Sequence, residues 1–92
     1  MEISKTKSSF YRRILIALLI EKEFNTIPKI VAEIGAPRRT IQDTINALAE
    51  LDIICTFIGA TKSGTYKIYS WGPINREWVE DNFESIKVQL GY

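Results

Sequence analysis

Arg39, Asp43, Asn46 and Glu50 recur every three or four residues, with Gln42 at their border. On a helix they form one polar stripe. Their side chains are suited to paired hydrogen bonding: a guanidinium matches the two acceptors of guanine, and the carboxamides of Asn46 and Gln42 match adenine. A plainer reading stands beside this one. Arg39 and Asp43 are i,i+4 partners and can simply pair on a solvated face, while Asn46 and Gln42 serve as ordinary surface. Asp43 would repel a phosphate, so it either reads a cytosine amino group or marks a surface that never meets nucleic acid.

These side chains need a helix with a buried back. Ile41, Ile45 and Leu48 fall at i, i+4 and i+7, flanked by Thr44 and Leu51, so the spacing predicts an amphipathic helix over residues 37–51. Pro37 pre-sets its first turn. A short apolar helix precedes it, with Thr26 as cap, Pro28 in the first turn, and Ile27, Ile30, Val31 and Ile34 on one face. Gly35 ends that helix, where a left-handed backbone is best tolerated. Two helices joined by so tight a turn form a helix-turn-helix pattern.

Upstream, after a polar arm over residues 1–6, a first helix is expected over residues 7–23. Its apolar stripe, built from Phe10 and Ile14 to Ile20, is wide enough to be covered on more than one side. Arg12 and Arg13 near its start read either as a solvated basic turn or as phosphate contacts. Downstream, residues 53–58 and 65–71 are rich in β-branched and aromatic side chains and read as two strands. Gly59 to Gly64 makes the turn, with Lys62 at its tip. A last helix is expected over residues 75–90, capped by Asn75.

Composition narrows the function. The chain has 92 residues, 46% hydrophobic and 25% charged, which fits a single globular domain spanning 1–92. Net charge is only +1, so nothing global demands a nucleic-acid partner. The distribution is uneven: residues 1–67 carry 10 Lys and Arg against 7 Asp and Glu, and residues 68–92 carry 2 against 4. The basic part coincides with the paired helices and the hairpin. Histidine is absent, which removes the commonest general base and metal ligand. The lone Cys55 permits no internal disulfide and reads as a buried, inert thiol. With no Gly-rich phosphate loop and no metal spacing, catalysis, a cofactor and a small-molecule ligand are not expected. The longest apolar run is too short to span a bilayer, and residues 1–9 lack the apolar stretch of a signal peptide, so a cytoplasmic protein without membrane partner is expected.

The order helix, helix, turn, helix, hairpin resembles the bacterial winged helix-turn-helix domain, including small stand-alone prokaryotic members. Three blocks carry the resemblance: Ile30 to Gln42, with its small-residue turn followed by Arg38-Arg39-Thr40-Ile41; Leu48 to Ile54; and Gly64 to Ile68. Together they cover residues 7–71. The resemblance implies an α+β fold, a three-helix bundle with a two-stranded wing and a C-terminal helix. It also implies a DNA-binding transcriptional regulator acting on double-stranded DNA. The helix 37–51 would enter the major groove and the 59–64 wing would lie on the backbone, with Arg38, Arg39, Thr40, Gln42, Asn46 and Lys62 at the contact positions. Two residues depart from the pattern. Pro37 stands where a Ser or Thr cap is common, and Asp52 where a Gly is frequent.

The competing reading is a protein–protein interaction module, since fold alone does not fix function. A positive surface joining Arg38, Arg39, Lys62 and the N-terminal arm favours DNA. Interruption by Glu33, Asp43 and Glu50 favours a protein partner. The C-terminal stripe of Val79, Phe83, Ile86 and Leu90, bordered by Trp78, also has two readings. It packs back on the first helix, or together with the first helix it builds a homodimer interface through which two copies read a palindrome. On the dimer reading, Phe83→Glu or Ile86→Glu yields a folded monomer.

Overall fold

A computed structural model describes residues 3–92 of the chain. Of the polar arm expected over residues 1–6, residues 1 and 2 lie outside the described residues. The first helix begins earlier than the pattern predicted. Ser4 accepts from the backbone N–H of Lys7 (3.1 Å) and caps α1, Lys5–Glu21. Seven consecutive residues of α1, Ile14 to Ile20, are buried. No amphipathic helix needs that. It happens because α1 runs through the middle of the molecule, with other elements packed around it.

The helix-turn-helix follows. Thr26 caps α2, Ile27–Ile34, by accepting from Lys29 N–H, and Gly35 closes it at φ 72°. Pro37 precedes α3, Arg38–Ala47, and provides no side-chain cap. Ile41, Thr44 and Ile45 turn inward against α1 and α2. The α-helix is shorter than the 37–51 expected. Residues Leu48–Leu51 tighten into a 3₁₀ turn, with Asp52 N–H bonding Ala49 O (3.0 Å) and Ile53 N–H bonding Leu48 O (3.2 Å). Asp52 then takes the left-handed conformation, φ 60°, that the glycine common at this position would supply. Aspartate is one of the few residues that tolerate it.

The chain leaves this turn as β1, Ile54–Ile58, and returns as the antiparallel β2, Thr65–Ser70. Cys55 pairs with Ile68 and Phe57 with Tyr66, and Cys55, Tyr66 and Ile68 face the core. Lys67 and Tyr69 face solvent, on the opposite side of the strand from Tyr66 and Ile68. A bulge between Ile54 and Cys55 leaves Tyr69 as the extra residue on the opposite strand. Tyr66 N–H also bonds Asn25 O (2.8 Å), fastening the hairpin to the α1–α2 connection. Burial pushes the Cys55 thiol up, partly offset by a hydrogen bond from the Lys67 backbone. A protonated thiol is a poor nucleophile. Iodoacetamide at neutral pH should therefore label the folded protein slowly, and labelling should accelerate in denaturant.

The C-terminal segment is two helices, not the single helix expected over residues 75–90. Asn75 caps α4, Arg76–Asp81, and α5 runs Phe83–Leu90. Between them the Asn82 side-chain amide donates to Trp78 O (2.8 Å), the carbonyl four residues back that its own N–H also reaches (3.0 Å). Such local side-chain competition bends a helix. The periodicity of the apolar stripe runs through this break without registering it. Both short helices pack on α1. Val79 (0% exposed) and Ile86 (1%) are core residues. The interface assigned to that stripe is thus corrected for these two: they are covered within the chain and have no surface to offer a second copy. Phe83 and Leu90 are half-buried against the same core, and the ammonium groups of Lys22 and Lys87 lie 5.7 and 5.5 Å from the Phe83 ring centre. Trp78 is the member left exposed, at 44%. Glu21, at the end of α1, accepts from both Trp71 Nε1 and Arg76 Nε. Arg76 also pairs with Glu80 at 2.7 Å. This cluster ties α1 to the segment leaving the hairpin.

Candidate nucleic-acid interface

The polar stripe of α3 and its 3₁₀ extension is solvent-facing, with Arg39, Asp43, Asn46 and Glu50 exposed. A groove runs along each side of this crest. On the wing side, a groove of about 670 Å³ lies between α3, the start of α2 and the hairpin. Arg38 and Gln42 of α3 line it together with Lys62 of the wing tip. Thr26 and Pro28 contribute from α2, and Phe57 and Tyr66 form an edge-to-face pair (5.0 Å) on the hairpin. The tip is closed by Ser63 N–H and Gly64 N–H, both bonding Ala60 O. Gly64 lets the Phe57 ring lie against the backbone, since a Cβ there would sit 2.6 Å from the ring.

On the opposite side, a cleft of about 340 Å³ separates α3 from α1. Thr40 points here, away from the wing. Ser9, Arg12 and Arg13 of α1 face it, and Asp43 and Thr44 complete the wall. The six residues assigned to DNA contact therefore do not form one cluster. Arg38, Gln42 and Lys62 converge on the wing groove, Arg39 and Asn46 stand on the crest, and Thr40 belongs to the far cleft. Ser9 was missed. Helical spacing was its available signal, because Ser9, Arg12 and Arg13 stand at i, i+3 and i+4 on one face. Nothing in the local sequence pointed to Phe57 and Tyr66, which reach the groove only because the hairpin folds back.

Charges on this surface are mixed. Arg39 Nε donates to Asp43 Oδ2 and Arg13 Nη2 to Glu50 Oε2, each at 3.4 Å. Both contacts are long and exposed, so each contributes less than about 1 kcal/mol. Gln42 Nε2 donates to Asn46 Oδ1 (3.2 Å), which orients the two carboxamides as a pair. Glu33 pairs instead with Lys87 of α5 (3.8 Å). The crest is thus interrupted by Asp43 and Glu50, whereas cations border it on both sides.

A helix-turn-helix continued by a two-stranded wing, with polar side chains on the exposed face of its second helix, defines a winged helix domain. The chain belongs to the winged helix-turn-helix family, which it matches over residues 5–90. It is similar to the crystal structure of a DUF2131 family protein from Shewanella amazonensis SB2B. The two share 30% sequence identity and a TM-score of 0.91, over 97% of this chain and 95% of that one. No curated protein matches the chain. Among the described residues, no helix is long and apolar enough to cross a membrane.

Proposed function

We propose that this protein is a sequence-specific DNA-binding regulator of transcription, working in the cytoplasm by binding and not by catalysis. The carrying observation is the wing groove. Arg38 and Gln42 from one element and Lys62 from another, 20 or more residues along the chain, line a single concavity beside an exposed crest of Arg39 and Asn46. An α-helix about 10–12 Å across fits a major groove about 12 Å wide, which brings α3 to the base edges and the wing to a phosphate backbone. In this reading Arg39 and Asn46 read bases, and Arg38 and Lys62 neutralise phosphates.

Fluorescence anisotropy on labelled duplexes across a salt series tests it. Binding should weaken steeply with salt. Arg39→Ala or Asn46→Ala should cost about 1–3 kcal/mol of discrimination at one base pair, and Lys62→Ala should lower the salt slope by about 1 while weakening all sequences alike. Absence of salt-dependent binding at low ionic strength overturns the reading. The protein-interaction alternative is favoured by one feature, the carboxylates of Asp43 and Glu50 on the crest, and it becomes the better account if no duplex binds.

Two-fold assembly completes the proposal, because a single winged helix covers few base pairs and two copies cover a palindrome. Trp78 is the stripe residue best placed to meet a second copy. It stands exposed beside an apolar hollow lined by Phe10, Ile14, Pro73 and Ile74.

A further inference from the structure

The cleft between α1 and α3 carries the second inference, which rests on the DNA-binding reading above. A helix lying in a major groove has a phosphate wall on each side, and the two walls belong to different strands. The wing can serve only one of them. On the other side of the crest, Arg12, Arg13, Ser9 and Thr40 present two guanidinium groups and two hydroxyls to one open cleft, and the carboxylate on its wall, Asp43, is paired with Arg39. Guanidinium groups with hydroxyl donors are the usual chemistry for a phosphodiester oxygen. Lys5 continues the strip, lining an adjoining hollow with Ser9 and Arg13.

We propose that the α1–α3 cleft is a second phosphate seat, holding the strand opposite the one contacted by the wing. Each arginine makes one long side-chain contact in the free protein. Arg12 Nε donates to Tyr92 Oη (3.3 Å), leaving its terminal nitrogens for another acceptor. Arg13 is engaged by Glu50 at 3.4 Å, and the Glu50 side chain is 70% exposed. Glu50 is therefore the carboxylate that a phosphate must displace from Arg13. It stands in for the backbone charge while the protein is free, and the need to displace it lowers affinity for every duplex whose phosphate takes its place on Arg13.

The test is a salt-slope and double-mutant experiment with the full chain and a random-sequence duplex. Arg12→Gln with Arg13→Gln should lower the slope by about 1.8, about 0.9 for each lost phosphate contact. Arg12→Lys with Arg13→Lys keeps both charges and should retain the slope, which separates phosphate contact from any loss of folding. Glu50→Gln should tighten binding to all duplexes, and that gain should be smaller when Arg13 is already Gln, the remainder being relief of repulsion from the crest. Overturning results are an unchanged slope in the double Gln variant, or a Glu50→Gln gain that is undiminished without Arg13. If the unaltered protein binds no duplex, both this inference and the reading it rests on fall. Binding with an unchanged slope removes the phosphate seat alone.

Discussion

Replacing Gly72 by alanine is expected to cost about 2–5 kcal/mol of folding stability, a large part of what a chain this size possesses. Gly72 has φ 56°, a conformation that costs an L-residue roughly 1–2 kcal/mol. The space is also occupied. A Cβ on Gly72 would lie 2.4 Å from the carbonyl oxygen of Asp52 and 2.9 Å from its carbonyl carbon. Both are backbone atoms of the turn that launches β1, so they cannot swing aside like the end of a side chain. Relieving the overlap moves either the exit of the α3 segment or the exit of the hairpin, and overpacking of that kind costs roughly 1–3 kcal/mol. Denaturant unfolding should show the loss as a lower midpoint with little change in slope. Gly35 offers the control, because its φ is also positive but no atom lies within 4 Å of the added Cβ. Gly35→Ala should therefore lose only the conformational part. Equal losses at the two positions would show that the contact with Asp52 carries no cost.

This contact also marks where sequence reading stops. The elements were legible wherever local chemistry decides them. Thr26, Pro28 and Gly35 delimit α2, and alternation along β2 separates Tyr66 and Ile68 from Lys67 and Tyr69. Asp52 was recognisable as occupying a glycine position, and its left-handed backbone follows from that role. What Gly72 touches was not legible, since its neighbour lies 20 residues away and the meeting depends on how the hairpin closes. The same holds for the site. The crest of α3 follows from periodicity alone. The convergence of Lys62 with Arg38, and of Arg12 and Arg13 with Thr40, depends on where the wing returns and where α1 crosses. The break at Asn82 was invisible because apolar spacing reports which side of a helix is buried, not whether its backbone is continuous.

Ile86→Glu is expected to unfold the protein. If the C-terminal stripe is an interface between copies, the outcome is the opposite, a folded monomer. The difference comes from what covers the side chain. Ile86 is 1% exposed and belongs to the core formed with α1. Removing a buried isoleucine costs about 2–5 kcal/mol through lost burial and an unfilled cavity. Placing a carboxyl in its position adds the penalty of burying a polar or charged group without a partner, at least about 1–3 kcal/mol. A 92-residue domain has roughly 5–14 kcal/mol in all. The substitution thus removes most of the stability at neutral pH. The sign with pH follows from the carboxyl: if buried, it folds only in its protonated form, its folded-state pKa is raised, and the damage is less at low pH than at neutral pH. Trp78→Glu is the informative companion. Trp78 is 44% exposed, so a charge there should leave the far-UV spectrum and the cooperative melt close to those of the unaltered chain. Sedimentation of Trp78→Glu beside the unaltered protein then addresses assembly without the confusion of unfolding. An Ile86→Glu protein that melts cooperatively near the unaltered temperature would mean that α5 detaches from α1 at little cost, and would return the stripe to a second copy.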